Sequence, residues 1–190
     1  MQQKAVRFAL FAFAGALAMI GLRRFASRDE AAAPAKSGVA VYVFLAEDCV
    51  ISQSATLALK SLHREFQGAI DFVGVFANAS STVETVAQFR KKYEMPFGLK
   101  LDDDNQLLRA LGARVTPEVF AVEQASQKIL YKGRIDDSFA RVGQRRSVVT
   151  SHELQDALAA IVKGDTIAVK ETQAIGCFIT RRAKAVSSGR

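Results

Sequence analysis

The chain has 190 residues, enough for one domain with a substantial core, and it is 49% apolar and 24% charged, as globular proteins are. The formal net charge is +7, but five basic residues precede the first acid, Asp29, and four more follow residue 180. The segment 29–179 therefore carries a net charge of −2. This distribution argues against nucleic-acid binding, which needs a basic stripe on the folded domain.

An uncharged apolar run, "FALFAFAGALAMIGL", occupies residues 8–22 after Lys4 and Arg7. Its fifteen residues fit the hydrophobic part of a signal peptide and fall short of the ~20 that span a bilayer comfortably. The following residues lack the paired small side chains of a cleavage site, since Phe25 and Pro34 interrupt them. We expect a signal anchor or signal peptide over 1–22, with a helix of the domain itself as a further alternative. Either membrane interpretation exports the remaining chain.

The linker-like residues 23–37 are followed by alternating strand and helix patterns. The predicted strands are 38–46, 69–77, 118–123 and 128–135, and the predicted helices are 51–66, 81–94, 105–113 and 151–164. The segment "FGLKLD" and the loop 136–150 are assigned no regular structure. The extension 165–180, which carries Cys177, is predicted to be extended and irregular, and the basic tail 181–190 to be disordered.

The element order predicts an α/β thioredoxin fold over residues 38–164, with a central mixed sheet and flanking helices, preceded by the N-terminal hydrophobic helix. Residues from about 39 to 179 also resemble the thioredoxin-like redoxins of bacterial envelopes, the superfamily that includes the alkyl-hydroperoxide-reductase/thiol-specific-antioxidant proteins. The matching pieces are "EDCVIS", "VTPEVF", "YKGRIDD" and "ETQAIGCFI". They are similar to a branch with an Asp-Cys-Pro-Ile-Ser motif and a C-terminal Gly-Cys, although Val50 replaces the proline.

Cys49 lies between the first predicted strand and the first predicted helix. A helix N-terminus favours an anion, so the pKa of this thiol should fall below its usual ~8.5 and yield a reactive thiolate. The neighbouring carboxylates of Glu47 and Asp48 would oppose this effect if they lie close to the sulfur. The alternative is an inert, partly buried cysteine that packs as a small hydrophobic residue.

The resemblance implies that Thr116 and Pro117 form a substrate loop with a cis peptide bond, opposite Cys49. Without the resemblance we would expect a trans bond and a rigid turn that opens a strand.

A dithiol oxidoreductase resolves its mixed disulfide with a second cysteine, but the motif Cys49-Val50-Ile51-Ser52 has a hydroxyl at that position. Three interpretations remain open. Cys177 resolves the disulfide from the C-terminal extension, as distal cysteines do in some peroxiredoxins. Alternatively, Cys49 and Cys177 form a permanent structural disulfide, worth on the order of 4–5 kcal/mol in the chain-entropy model. In the third, Cys49 acts alone and uses an external reductant.

A peroxidase is less favoured, because Tyr42 and Ala46 stand where peroxiredoxins resemble one another in a Pro and a Thr or Ser. Arg134 is either a guanidinium near the thiolate or a surface charge paired with Asp136 or Asp137. We expect no metal and no cofactor, and we expect the only two histidines, His63 and His152, to face solvent.

The sequence thus predicts an envelope redoxin that acts in thiol–disulfide exchange, with Cys49 and Cys177 as catalytic residues and Ser52 and Arg134 in support. A peroxiredoxin-like hydroperoxide reductase and a non-catalytic binding module with a structural disulfide are the alternatives. The expected partners are protein thiols or disulfides, or a small thiol or peroxide, with a membrane contacted by the N-terminal helix.

Overall fold

The computed structural model describes residues 37–181 and contains nine strands and four helices in that range. The helices are α1 (Val50–Glu65), α2 (Val83–Tyr93), α3 (Gln106–Leu111) and α4 (Glu153–Lys163). The strands are β1 (Val39–Leu45), β2 (Ile70–Phe76), β3 (Gly98–Leu101), β4 (Val115–Thr116), β5 (Glu118–Glu123), β6 (Ile129–Gly133), β7 (Phe139–Arg141), β8 (Gln144–Arg145) and β9 (Cys177–Phe178).

The central sheet has the strand order β3-β2-β1-β5-β6. Strands β1, β2 and β3 are parallel, whereas β5 and β6 form an antiparallel hairpin at the other side of β1. This mixed sheet with its flanking helices is a thioredoxin-like α/β fold, as predicted.

The buried strand β1 explains how the core is divided. Its side chains alternate between two clusters, so that Val41, Val43 and Leu45 belong to the larger one and Phe44 belongs to the smaller one. Helices α1, α2 and α4 contribute to the larger cluster, and Leu108 of α3 contributes to the smaller. A strand buried on both faces must be apolar throughout, which is the pattern by which the sequence predicts it.

The pairing of β1 with β5 places two chain segments at the same end of the central sheet. In the antiparallel pair of β1 and β5, Phe44 lies opposite Glu118, so the end of β1 and the beginning of β5 are neighbours. The loop after β1 carries Cys49, and Pro117 directly precedes β5. The fold therefore brings together two parts of the sequence that are almost seventy residues apart.

Three segments are more ordered than the sequence predicts. The segment "FGLKLD" contains β3, which pairs in parallel with β2. The loop 136–150 contains the small hairpin of β7 and β8. Residues 170–180, which we call the C-terminal strap, contact β6 and then pair with β4 through β9.

No helix within residues 37–181 is long and apolar enough to cross a membrane. The predicted hydrophobic helix 1–22, most of the linker 23–37 and most of the basic tail 181–190 lie outside the described residues. The domain boundaries stay predictions.

Candidate redox site

Cys49 occupies the N-cap position of α1, with extended backbone angles. Its side chain is only 1% exposed and packs in a small cluster with Ala46 and Ile51. The thiol donates a hydrogen bond to the backbone carbonyl of Thr116, with an Sγ–O distance of 3.0 Å. The candidate nucleophile is therefore covered in the reduced protein.

Ser52, the last residue of the motif, is fully buried in the first turn of α1. Its Oγ accepts a hydrogen bond of 3.2 Å from the backbone N–H of Ala46, which fixes the loop after β1 against the first turn of α1. Although Cys49 makes no regular side-chain cap, both the backbone N–H and the hydroxyl of Ser52 interact with its sulfur as hydrogen-bond donors. The serine thus supports a thiolate where a second cysteine would resolve a disulfide.

Burial raises the pKa of Cys49, but hydrogen bonds from the side chain and backbone of Cys177 and from Ser52 outweigh it, so the pKa is lowered overall. The Thr116 carbonyl acts in the opposite sense, because it accepts a hydrogen bond only from the neutral thiol. The predicted lowering of the pKa is confirmed.

The two carboxylates before Cys49 do not oppose its ionisation. Glu47 accepts hydrogen bonds from the hydroxyls of Ser81, at 2.8 Å, and Thr85, at 2.6 Å, near the start of α2. Asp48 is exposed, and its charge raises the pKa of Cys177 instead.

The Thr116–Pro117 peptide bond is cis, as the resemblance predicts. Thr116 is 2% exposed and pairs with Cys177 in the antiparallel ladder of β4 and β9. Its carbonyl also accepts the Cys49 thiol, so this one residue touches both cysteines.

Cys177 is the second thiol of the site and is half-buried beside Cys49. Both cysteines are free, and Cys177 packs against the cluster of Cys49, where its side chain helps to lower the pKa of Cys49. The pKa of Cys177 is raised to about 11. Burial is the largest cause, followed by the hydrogen bond to Cys49 and the charges of Cys49 and Asp48. Of the two thiols, Cys49 is therefore the one that ionises first, while Cys177 stays protonated.

The guanidinium of Arg134 pairs with a carboxylate of α4. Its Nε donates to Glu153 Oε1 of α4 at 2.9 Å, and its terminal nitrogen donates to the same oxygen. The ion-pair partner of Arg134 is Glu153 and not the predicted Asp136 or Asp137, although the charge of Asp137 also helps to raise the pKa of Arg134. The charge of Arg134 is not among the causes that shift the pKa of Cys49.

The histidines give a mixed outcome. His152 is exposed at the start of α4, as predicted, but His63 packs against the rings of Phe72 and Phe97 at 5.7 and 5.5 Å. Within residues 37–181, no group of three or more His, Cys, Asp or Glu side chains could hold a metal ion.

A mainly apolar cleft of about 230 Å³ lies beside the small cluster that contains Cys49. Ile51, Ala55, Pro117, Phe139 and Ile175 form much of its lining. Ile51, Phe139 and Ile175 also pack in or against the cluster that contains Cys49. Pro117 directly follows Thr116. The cleft could take an apolar side chain of a molecule that binds beside the covered thiol.

Gly176 belongs to a motif that carries the resemblance, but its structural role is not predicted from the sequence. A Cβ at this position would lie 2.2 Å from the Thr116 carbonyl oxygen, so only glycine permits this approach of the two strands. The signal in the sequence is the dipeptide Gly-Cys itself, but its partner strand is not visible from local pattern.

The paired thiols, the cis-proline and the mixed sheet define a thioredoxin-like redoxin. The sequence profile of the AhpC/TSA family matches residues 25–132, more than half of the chain, and the chain therefore belongs to that family.

Solved structures agree on the fold. A hypothetical protein from Sinorhizobium meliloti 1021 is 26% identical with a TM-score of 0.68, over 78% of this chain and 82% of that one. An uncharacterized conserved protein from Geobacillus kaustophilus is 22% identical with a TM-score of 0.69, over 80% of this chain and 82% of that one. No curated protein sequence matches the chain.

Proposed function

We propose that the protein is a thiol–disulfide oxidoreductase in which Cys49 is the attacking thiolate and Cys177 is the resolving thiol. The observation that carries this proposal is the meeting of both thiols at Thr116, whose carbonyl accepts from Cys49 Sγ at 3.0 Å and whose backbone pairs with Cys177. The lowered pKa of Cys49 and the pKa of Cys177, raised to about 11, support the assignment of the two roles. Thr116 and Pro117 form the adjoining loop, and Ser52 positions the sulfur.

The cycle begins when the Cys49 thiolate attacks a substrate disulfide. A bond forms between Cys49 Sγ and one substrate sulfur, while the other substrate sulfur leaves as a thiolate and takes a proton from water. Cys177 then loses its proton and attacks Cys49 Sγ, which releases the first substrate sulfur. The substrate gains two electrons and the protein becomes a Cys49–Cys177 disulfide, which an external dithiol reduces.

The apolar residues 8–22 support an exported location, with the domain facing the periplasm or cell exterior. An N-terminal anchor would keep the redox site at the membrane surface. Protein disulfides of the same compartment are then the expected substrates.

The test uses the chain from about residue 35, purified without reductant, alkylated, digested and examined by mass spectrometry. The protein is then equilibrated with a graded series of thiol–disulfide buffers. A Cys49–Cys177 peptide that becomes reduced at a mild potential is the expected result.

Other results would replace the proposal by a stated alternative. A linked peptide that resists strong reductant indicates the structural disulfide of a binding module. Two free thiols in every buffer indicate a monothiol enzyme, and consumption of hydroperoxide by that protein would indicate a peroxidase.

A further inference from the structure

The C-terminal strap covers the reactive sulfur. Cys49 is 1% exposed, and Cys177 and Ile175 of the strap pack against the cluster that contains it. An attacking thiolate must approach the partner disulfide along the S–S axis, so the partner sulfur needs the space next to Cys49 Sγ. In the reduced protein Cys177 fills part of that space. A substrate can therefore reach Cys49 only if the strap moves.

The centre of the strap is weakly held. Strand β9 pairs with β4 over two residues, Thr116 opposite Cys177 and Val115 opposite Phe178. The side chain of Phe178 is 83% exposed, so this strand buries little apolar surface. A ladder of this length costs little to separate, because water can replace the hydrogen-bond partners that are lost.

The two ends of the strap are held more firmly. On one side, the Thr172 hydroxyl accepts from the Arg134 N–H at 3.0 Å and shares a hydrogen bond of 2.9 Å with the Tyr131 hydroxyl. On the other side, Ile179 N–H donates to the Arg114 carbonyl at 3.0 Å, and the Thr180 carbonyl accepts from Ala79 N–H at 2.8 Å. The strap is thus fixed at two points on either side of its short pairing with β4.

The close contact at Gly176 restricts what can replace β9. Any residue with a side chain at this place in the ladder would put its Cβ 2.2 Å from the Thr116 carbonyl oxygen, well inside van der Waals contact. A strand in the same register that presents a cysteine to Cys49 must therefore have glycine directly before that cysteine.

We propose that β9 is a tethered occupant of the substrate site and that the substrates are extended polypeptide disulfides with the sequence Gly-Cys. Such a segment pairs antiparallel with Thr116 after the strap has lifted, and its cysteine takes the place of Cys177. This inference rests on the proposed function, since it assigns a substrate class to the Cys49 site.

Competition for one strand edge couples the two chemical steps. After Cys49 has formed the mixed disulfide, the substrate strand occupies the edge of β4. The return of β9 displaces that strand and turns the substrate sulfur away from the position of Cys177. Cys177 then loses its proton to water and attacks Cys49 Sγ from the side opposite the substrate sulfur, which forms the intramolecular disulfide and expels the substrate thiolate. Resolution and product release are then one event, and an external dithiol completes the cycle.

The experiment uses the full chain with Cys177→Ser, so that Cys49 is the only thiol. Into this background we introduce Gly176→Ala, whose methyl group would push β9 away from Thr116. The matched control is Gly98→Ala in β3, where an added Cβ meets nothing within 4 Å and the backbone is unstrained. Circular dichroism and thermal melting show that each variant is folded.

The probe is a ten-residue peptide with the sequence of residues 172–181, its cysteine activated as a mixed disulfide with 5-thio-2-nitrobenzoate. Release of the coloured thiolate measures the second-order rate of attack by Cys49. We expect Gly176→Ala to raise this rate on the order of tenfold over the Gly98→Ala control, because occupancy by the strap reduces the competent fraction. Equal rates in the two variants would refute the proposed competition between β9 and the substrate strand.

A second peptide, with alanine in place of the glycine before its cysteine, tests the substrate class. We expect it to react on the order of tenfold more slowly than the glycine peptide with the Gly176→Ala protein. Equal rates would refute the Gly-Cys requirement. If Gly176→Ala does not fold, Thr172→Val is used in place of Gly176→Ala in both comparisons. This variant removes the hydroxyl that anchors the strap to Arg134 and Tyr131.

A small disulfide, 5,5′-dithiobis(2-nitrobenzoate), separates this inference from the proposed function. If Cys49 reacts with the small disulfide but does not distinguish the two peptides, the substrate class is wrong and the exchange chemistry stands. If Cys49 reacts with neither reagent in the folded Gly176→Ala protein, the proposed function itself is wrong.

Discussion

The two cysteines come from regions that are built differently. Cys49 is held between the end of β1 and the first turn of α1, where Ser52 is fully buried and ties the loop to the helix. Cys177 lies on a strap at the edge of the domain, in a ladder of two residue pairs. The first region is part of the packed core, whereas the second is attached beside it through that short ladder.

The difference fits the proposed division of labour between an attacking thiol in the core and a resolving thiol on the strap. A nucleophile gains from a rigid setting in which donors are already directed at its sulfur, and the pKa of Cys49 is lowered there. A resolving thiol must move in after the substrate has bound, and until then it is kept protonated by a pKa of about 11. The asymmetry in structure and the asymmetry in pKa thus agree.

The largest effect is expected from exchanging each cysteine for serine. Cys49→Ser should lower disulfide reduction by on the order of 100-fold or more, because the nucleophile is lost. Cys177→Ser should keep the first step and stop there, so that one equivalent of substrate remains linked to Cys49. Non-reducing mass spectrometry measures the linked species, and steady turnover by Cys177→Ser at the native rate would contradict the assigned roles.

A smaller effect is expected when the strap is loosened at Thr172. Thr172→Val removes the hydroxyl that accepts from Arg134 N–H, and leaving that donor unpaired should cost about 1–3 kcal/mol of the free energy of unfolding. The strap should then lift more often, and alkylation of Cys49 should become several-fold faster. Denaturant unfolding and iodoacetamide labelling measure the two quantities.

Thr172→Ser keeps the hydroxyl and is the matched control for that variant. It should behave nearly as the native protein does in both measurements. Equal labelling rates for the valine and serine variants would show that the strap is not held at this point.

The fixed region is tested by Ser52→Ala, which removes a donor to the Cys49 sulfur and the acceptor of the Ala46 N–H. The pKa of Cys49 should rise, and the free energy of unfolding should fall by about 1–3 kcal/mol. The pH dependence of Cys49 alkylation measures the first change. Ser61→Ala, at an exposed position of the same helix, should change neither, and an unaltered pH profile in Ser52→Ala would refute the role of the serine.

The smallest effect concerns stability at alkaline pH. Because the pKa of Cys177 is raised from an ordinary 9.0 to about 11 in the folded protein, its favourable contribution is complete below pH 9 and is lost as the pH rises towards 11. The native protein should therefore lose more stability over that interval than Cys177→Ser does. Urea unfolding at several pH values measures this difference. The pKa of Tyr131 is also raised, to about 12, but this residue contributes equally to both proteins. Parallel pH profiles would contradict the raised pKa.

Much of the fold is predictable because its central elements carry their own patterns. Strands β1 and β2 are nearly continuous apolar runs, and α1 and α4 have apolar residues at helical spacing. By contrast, β3 has only four residues, and its side chains alternate between exposed and half-buried. A segment this short is recognised as a strand only from its parallel pairing with β2.

The site is predictable in its residue types but not in its contacts. The position of Cys49 before a helix indicates a reactive thiol, and the resemblance locates the cis-proline. The pairing of Cys177 with Thr116 joins residues 61 positions apart, and the partner of Arg134 is Glu153 on a separate helix. Such pairings follow from how whole elements pack, which no local spacing records.

The carbonyl group of Thr116 has a spectroscopic consequence. It accepts a hydrogen bond from the neutral Cys49 thiol at 3.0 Å, and it would face an anion once that proton is lost. Its stretching frequency should therefore rise on deprotonation, as that of any amide carbonyl does when a donor is withdrawn. A carbon-13 label in the threonine carbonyls would let difference infrared spectroscopy follow the charge on the sulfur from the backbone atom that touches it, with no reagent added to the thiol.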